Sequence, residues 1–407
     1  MTDSAPNGDP ATPRAADQLP MNALFALATT GFVTIMTETI PAGLLPLIGR
    51  GLGVSVDTAG QLVTAYAFGS MLSAIPVVRA TAGWGRRTLL LTAVAGLFAF
   101  NTVTAISSSY ALTLGARFLA GVAAGVAWGI IASYARKLVV SELQGKAISV
   151  AMVGTPVALA LGVPAGTLGG SLAGWRAVFA VLSALALLLL VWIRLGVPNI
   201  PGEAARKRSS IRDLMRTPGL WPVMLVVLAW MLGQNVTYTY VAPFLARAGL
   251  QQHVDAVLLV FGVAALIGLT VVGHLVDRAL RACTLVALGG FGIAAIALAV
   301  AHGSAAVDVV GVAIWGLAFG GASPLLNTAA ADVAENDADI VLAMVTTFWN
   351  ASIAGGSIVG ALLLAQVGVE SLPLAMLATT FVAVCIVWRS SRFGFPAGAR
   401  SAVNANA

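Results

Sequence analysis

Long apolar stretches separated by short polar connections dominate the pattern of this chain. Each stretch has about 20 residues or slightly more, which at a rise of 1.5 Å per residue is enough to cross a hydrocarbon core of ~30 Å. We number these stretches segments 1 to 12, and they comprise residues 23–48, 59–79, 88–107, 110–133, 147–169, 175–195, 221–245, 254–275, 283–302, 306–328, 340–366 and 371–389. The pattern predicts twelve transmembrane α-helices, and therefore an all-α integral membrane protein.

One connection is much longer than the others. Residues 196–220 form a basic, proline-containing linker at the midpoint of the chain, with six segments on either side. This arrangement predicts two six-helix bundles, residues 21–195 and residues 221–390, that are pseudo-repeats of each other. We interpret residues 1–20 as a disordered N-terminal tail and residues 391–407 as a C-terminal tail. The alternative is one bundle of twelve helices without internal symmetry.

The composition agrees with a membrane protein. Of the 407 residues, 59% are hydrophobic and only 9% are charged, and the mean hydropathy is +0.94. A soluble domain carries roughly 25% charged residues. Two cysteines exclude a disulfide scaffold, and the three scattered histidines offer no metal site. Because no phosphate-binding loop or hydrolase motif is found, we expect neither a cofactor nor an enzyme, and any pumping must draw on an ion gradient.

The basic residues are distributed unevenly between the two sides of the predicted helices. If the N-terminus is cytoplasmic, eighteen Lys and Arg residues fall on the cytoplasmic side and three on the outer side, and Arg117 remains inside a helix. Such a bias predicts that both termini are cytoplasmic. The pI of about 9.8 is therefore interpreted as a signal of topology in a lipid bilayer, and nucleic acid is not an expected partner.

Two ionisable side chains lie deep inside predicted helices, Glu38 in segment 1 and Arg117 in segment 4. A charge in hydrocarbon costs roughly 3 kcal/mol on insertion scales, so each is expected to face a cavity or a partner. Glu38 is about ten residues (~15 Å) and Arg117 about eight residues (~12 Å) from the outer end of its segment, so direct pairing is a hypothesis. We predict that both residues serve proton coupling. Alternatively, Glu38 hydrogen-bonds a neighbouring helix and Arg117 locks a polar network.

Further polar side chains occur at matching places in the two halves. The offset of 195 residues between the halves places Glu38 beside a polar cluster of segment 7, as expected for a central cavity near the membrane midplane. We predict that this substrate cavity is lined by Thr34, Trp128, Gln234, Asn235, Tyr238, Asn327 and Asn350. The alternative for these side chains is hydrogen bonding or packing between helices.

Segments 4 and 5 carry the most specific motifs. Segment 5 contains a spaced series of small and proline residues, Gly154, Pro156, Gly162, Pro164 and Gly166, and in segment 4 Arg117 is followed by Gly121 and Gly125. On these motifs, and over nearly all of residues 23–390, the chain resembles the major facilitator superfamily. Within it, the chain is similar to the twelve-helix drug:proton antiporters, of the bacterial sugar, nucleoside and drug efflux permease type. The resemblance implies that the series in segment 5 is the antiporter motif and that Arg117 takes part in proton coupling.

The loop between segments 2 and 3 resembles only part of the superfamily motif Gly-x-x-x-Asp-Arg-x-Gly-Arg-Arg. The matching residues are Gly85, Arg86 and Arg87, whereas Val78, Ala82 and Gly83 replace the Gly, Asp and Arg. The corresponding loop of the second half retains Asp277 and Arg278, together with Arg281. The resemblance implies that these residues gate the cytoplasmic face, and that the first loop does so without its acidic member.

These observations predict a secondary active transporter. We expect proton-coupled efflux of a small molecule such as a drug, sugar or nucleoside, by alternating access, in the inner membrane of a bacterium. The resemblance implies a monomer. A proton-coupled uptake symporter on the same fold is the nearest alternative, and a membrane channel or sensor is the alternative from another class. The sequence does not identify the solute.

Overall fold

Helices make up nearly all of the part of the chain that the computed structural model describes. This part comprises residues 18–74, 76, 80–81, 83–140, 143–202, 216–301, 303–334 and 338–396. Both predicted tails lie mostly, and residues 203–215 of the predicted linker lie entirely, outside it. The domain boundaries therefore stay a prediction.

Seven segments are single helices. These are segments 1 (Met21–Leu52), 2 (Val56–Ala74), 3 (Arg86–Ile106), 4 (Tyr110–Lys137), 6 (Trp175–Gly196), 11 (Ala338–Gln366) and 12 (Ser371–Arg389). Within the described residues, eleven helices are long and apolar enough to cross a membrane, and they represent every predicted segment except segment 2. For segment 2 the structure describes the helix Val56–Ala74, and residues 77–79 of the predicted segment lie outside the described residues. This helix packs inside the bundle against segments 4 and 11. The prediction of an all-α membrane protein is confirmed.

The remaining segments are interrupted. Segment 5 consists of Gln144–Met152, Gly154–Val157, a π-helical turn at Ala158–Gly162, and Val163–Ala173. Segment 7 is divided into Leu220–Tyr238 and Val241–Ala246, and segment 10 into Ala305–Gly320 and Ala322–Ala334. Segments 8 and 9 form one continuous run, Val254–Val300, that is kinked at Ala279. Such breaks are tolerated where neighbouring helices satisfy the freed backbone groups.

The motif of segment 5 forms a smooth ridge against segment 1. A methyl group added at any of its four ridge glycines would overlap segment 1. The pairs in contact are Gly154 with Ala28, Gly162 with Met36, Gly166 with Ile40, and Gly170 with Leu44. Small residues at this spacing let two helices approach closely. Segment 5 also reaches the second half, where the backbone of Ala160 lies against Gly262 of segment 8.

The two halves are packed together at one end of the molecule. Most contacts between the halves are formed by segments 1 and 7, 2 and 11, and 5 and 8. We call the end where segment 1 begins and segment 12 ends the tail side, and the opposite end the far side. One apolar core joins the far-side parts of segments 1 to 6 to the buried residues of segments 7 to 12. The tail-side part of the first half forms a separate core without residues of the second half. The far side is therefore closed.

Candidate transport site

Arg117 is the most constrained charged residue of the first half. Its side chain is 0% exposed, and its Nη1 donates a hydrogen bond to the carbonyl oxygen of Thr37 at 2.6 Å. Its Nε donates to the carbonyl oxygen of Leu62 at 3.4 Å, and its guanidinium lies over the ring of Tyr66, 4.7 Å from the centroid. Nη2 has no hydrogen-bond partner among the described residues. These contacts tie segments 1, 2 and 4 together and fix the position of the positive charge.

A second set of polar contacts surrounds the same turn of segment 1. Tyr66 donates its hydroxyl to the carbonyl oxygen of Thr34 at 3.0 Å. Asn101 of segment 3 donates its Nδ2 to the hydroxyl of Thr37 at 2.9 Å, while its buried Oδ1 has no partner in the described part of the chain. Four helices of the first half thus converge on residues 34–38. Asn101 was missed at the sequence level, although a lone amide inside an apolar segment is a signal of the same kind as Glu38.

Glu38 lies at the edge of this network and is 8% exposed. It interacts electrostatically with Arg117, yet the carboxylate and the guanidinium form no ion pair within 4.0 Å in this structure. The carboxylate also makes no hydrogen bond with any described residue. Direct pairing, the hypothesis raised by the matching depths, is therefore absent from this conformation. The carboxyl group faces a cavity instead.

This cavity lies at the seam between the halves. Segments 1, 2, 7 and 11 supply its walls, which consist of Glu38, Thr39, Ala42, Val63, Asn235, Tyr238, Thr239 and Ile353. Its volume is about 20 Å³, which is enough for one water molecule and far too small for an organic solute. The structure therefore brings together three predicted site residues, Glu38, Asn235 and Tyr238, in a contracted state of the cavity.

Aromatic side chains support the cavity wall in the second half. Tyr238 packs against Phe261 and Trp315, with ring centroids 5.4 and 6.1 Å away. Trp315 donates its Nε1 to the Oε1 of Gln234 at 2.6 Å. Gln234 is thus buried between segments 7 and 10 behind the cavity. Phe261 and Trp315 were not singled out at the sequence level, because an aromatic residue in an apolar segment carries no distinguishing signal.

The other predicted cavity residues lie elsewhere in the bundle. Thr34 is fully buried, and its hydroxyl bonds the carbonyl oxygen of Thr30 one turn earlier. Trp128 packs on Gly31 in the tail-side core of the first half. Asn350 bonds the carbonyl oxygen of Thr346, and Asn327 bonds the hydroxyl of Ser323 in the tail-side part of segment 10. None of the four lines the contracted cavity.

The far-side closure rests on three residues of the two halves. Ser357 of segment 11 donates its hydroxyl to the carbonyl oxygen of Gly60 in segment 2 at 2.9 Å. Tyr240, at the break in segment 7, donates its hydroxyl to the carbonyl oxygen of Ser357 at 2.9 Å. Its ring covers Gly60 so closely that a Cβ atom there would lie 2.6 Å from two ring carbons. We call Gly60, Tyr240 and Ser357 the far-side latch.

The predicted gating residues make contacts within their own halves. Arg87 donates to the carbonyl oxygen of Val197 at 3.4 Å, and the backbone N–H of Arg86 donates to Ile200 at 2.8 Å. Gly85 lies against Asn199. In the second half, Arg281 donates to the carbonyl oxygens of Val387, Trp388 and Phe395. Arg278 is exposed, and the side chain of Asp277 lies outside the described residues.

Comparisons with known proteins agree with this architecture. The family model of the Major Facilitator Superfamily matches residues 27–351. The purine ribonucleoside efflux pump NepI of Salmonella paratyphi B is 29% identical over 334 residues, which cover 80% of this chain and 83% of that protein. The fold is shared with a D-xylose–proton symporter (TM-score 0.78, 15% identity, 91% of this chain and 98% of that one). It is also shared with the human organic anion transporter MFSD10 (TM-score 0.68, 18% identity, 91% and 100%). The chain is therefore a multi-pass membrane transporter that belongs to the major facilitator superfamily.

Proposed function

We propose that the protein is a proton-coupled antiporter that exports a small organic molecule from a bacterial cell. The observation that carries the proposal is the position of Glu38. Its carboxyl group is buried, forms no hydrogen bond with a described residue, and faces the cavity between the halves. The efflux activity in the name of the relative NepI favours export over uptake. We place the protein in the inner membrane, with the tail side and both termini in the cytoplasm, because the basic residues concentrate there.

Transport then follows from rocking of the two halves about the cavity. In the state described here the far-side latch closes the cavity toward the outside. Opening of the latch and closing of the tail side would expose the cavity to the outside. The ridge of glycines in segment 5 keeps that segment close to segment 1, so the first half can move as one body. Segment 5 contacts the second half where Ala160 lies against Gly262.

Glu38 would carry the coupling proton. Arg117 is held by two backbone carbonyl groups and cannot move away without losing both bonds, so it provides a fixed positive charge near the carboxylate. A solute that binds in the cavity would then compete with the proton for the same carboxyl group. Because the carboxyl group binds either the solute or the proton, the two would cross the membrane in opposite directions.

The second half would contribute recognition of the solute. Tyr238 offers an aromatic face and a hydroxyl group without a hydrogen-bond partner among the described residues, and Asn235 offers an amide. These groups suit a drug, a sugar or a nucleoside. Purine ribonucleosides are the first solutes to test, since NepI is named for them and a base can stack on a tyrosine ring.

Everted membrane vesicles that contain the protein provide the test. A solute added to an acidified, energised vesicle should release protons from the lumen, which a pH-sensitive dye reports. Glu38→Gln should abolish this release, whereas Asp255→Asn, which changes an acid in the first turn of segment 8, should retain it. Proton release that persists in Glu38→Gln would exclude Glu38 as the proton carrier. Proton entry together with the solute would identify a symporter.

A further inference from the structure

A groove lies on the outer wall of the first half, away from the transport cavity. Segments 3 and 6 form it, and it is lined by Leu91, Leu190, Val191, Arg194 and Leu195. Its volume is about 360 Å³, and it is open along one side. Four of its five lining residues are aliphatic, and Leu195 and Val191 are 80% and 53% exposed. In a membrane-spanning bundle, a face of this composition contacts acyl chains.

The fifth lining residue is an arginine at the tail-side end of the groove. Arg194 lies in the last turn of segment 6 and is exposed. Its guanidinium has no hydrogen bond or ion pair with any residue that the structure describes. Of the two arginines at the start of segment 3, Arg86 is buried and Arg87 already donates to the carbonyl oxygen of Val197. The guanidinium of Arg194 is therefore not engaged by any described residue, and it borders the aliphatic lining of the groove.

The depth of these residues fits a phospholipid. Leu91 is five residues from the start of segment 3 and Leu190 six residues from the end of segment 6, which places both about 8–9 Å below the helix ends. The helix ends lie near the headgroup region, because a span of about 20 residues fills the hydrocarbon core. A phosphate at the level of Arg194 would thus have the first methylenes of its acyl chain at the level of Leu91 and Leu190.

We propose that this groove binds an anionic phospholipid, with an acyl chain between segments 3 and 6 and the phosphate on Arg194. An arginine pairs with phosphate through two parallel N–H···O bonds, which gives selectivity as well as affinity. A net negative headgroup adds electrostatic attraction that a zwitterionic headgroup lacks. The site rests on the fold alone and is independent of the solute and of the coupling ion.

Native mass spectrometry of the purified, full-length protein tests the site. The protein in mild detergent would receive phosphatidylglycerol and phosphatidylcholine with identical acyl chains. We expect the first bound lipid to be phosphatidylglycerol. Arg194→Gln should weaken its binding by about tenfold, the effect of one lost charged hydrogen-bonded contact. The ratio of bound phosphatidylglycerol to phosphatidylcholine should fall by about fivefold, because both lipids lose the phosphate contact and only phosphatidylglycerol loses the attraction of a net charge. Val191→Trp should fill the groove and lower the binding of this first lipid.

Two matched variants serve as controls. Arg389→Gln removes an exposed arginine from the last turn of segment 12 in the other half, and Val181→Trp adds the same bulk on an exposed face near the opposite end of segment 6. Both should retain the preference of the unmodified protein. An unchanged lipid ratio in Arg194→Gln, or an equal change in Arg389→Gln, would overturn the proposal. Displacement of the bound phosphatidylglycerol by an equimolar amount of soluble glycerol phosphate would also overturn it, because the acyl chain would then add nothing to binding.

Discussion

A single methyl group at Gly60 should prevent the far side from closing. In the structure, a Cβ atom at this position would lie 2.6 Å from Cε1 and Cζ of Tyr240. Non-bonded carbon atoms prefer separations of about 3.5–4.0 Å, so segments 2 and 7 would have to move apart by about 1 Å. Gly60→Ala is therefore predicted to favour the state in which the far side is open.

The magnitude follows from two contributions. Forcing an extra methyl group into a packed contact costs about 1–3 kcal/mol. A displacement of about 1 Å would also stretch the bond from Ser357 to the carbonyl oxygen of Gly60, now 2.9 Å, and lose about 1 kcal/mol. The closed state is thus destabilised by at least about 2 kcal/mol, which raises the ratio of open to closed molecules about 30-fold.

Distance measurements between spin labels can detect this shift. Labels at Ser55 and Gln252, exposed residues on the far side of the two halves, report their separation once Cys283 and Cys385 have been replaced. Gly60→Ala should add a long-distance population. Gly115→Ala is the matched control, since a methyl group at that helical glycine meets nothing within 4 Å.

A rescue variant shows whether the effect of Gly60→Ala comes from the contact with Tyr240 or from a general loss of stability. Replacing Tyr240 with Leu in the Gly60→Ala background removes the ring that the new methyl group meets. The short distance should then return in part, through the bond from Ser357 to Gly60 that this variant keeps. If Gly60→Ala leaves the distance distribution of the unmodified protein unchanged, the far-side latch does not hold the closed state and the reasoning is refuted.

Three further substitutions test other contacts of the fold. Gly154→Ala should destabilise the protein by about 1–3 kcal/mol in thermal unfolding, because the added methyl group would overlap the backbone of Ala28. Gly169→Ala, whose methyl group would contact only Val178 at 3.9 Å, should remain near the unmodified stability. Trp315→Phe should cost about 1–3 kcal/mol, because the buried amide oxygen of Gln234 loses its donor. A cost that is unchanged when Gln234 is also replaced by Leu would argue against that bond. Arg281→Gln should increase hydrogen exchange in residues 391–396, because three carbonyl contacts with the end of segment 12 and the following residues are lost. Arg278→Gln, at an exposed position, should leave exchange there unchanged.

Hydropathy was sufficient to predict the segments, since each must supply about 20 apolar residues to cross the membrane. It was less informative about their ends. Segment 9 was expected to begin at residue 283, whereas the helix extends back to the kink at Ala279. Segment 1 continues to Leu52 although it contains Pro41 and Pro46. Helices extend beyond the hydrocarbon core, and neighbouring helices satisfy groups that a proline leaves free, so neither feature is visible in an apolar count.

The sequence was sufficient to predict where the charged residues of the candidate site lie along their helices. It was not sufficient to predict which groups they face. Glu38 and Arg117 were expected deep inside helices because each lies well within an apolar segment, and both are buried in the structure. Which groups face them depends on how the helices are rotated and placed side by side. Thr34 shows the difference: it was predicted to line the cavity, yet its hydroxyl donates to the carbonyl oxygen of Thr30 in the preceding turn of its own helix. A threonine in a helix can always satisfy itself in this way.

The arginines of the two loops indicate how the internal repeat is maintained. Arg87 and Arg281 are 194 residues apart, close to the offset of 195 between the halves. Each lies near the start of the third helix of its half and donates to a carbonyl oxygen at the end of the sixth, Val197 at 3.4 Å or Val387 at 2.6 Å. The repeated bond uses only an arginine and a backbone group. The first half therefore keeps the bond from Arg87 to the carbonyl oxygen of Val197 although Ala82 replaces the acid of the motif. Only the contacts of the acid itself are lost.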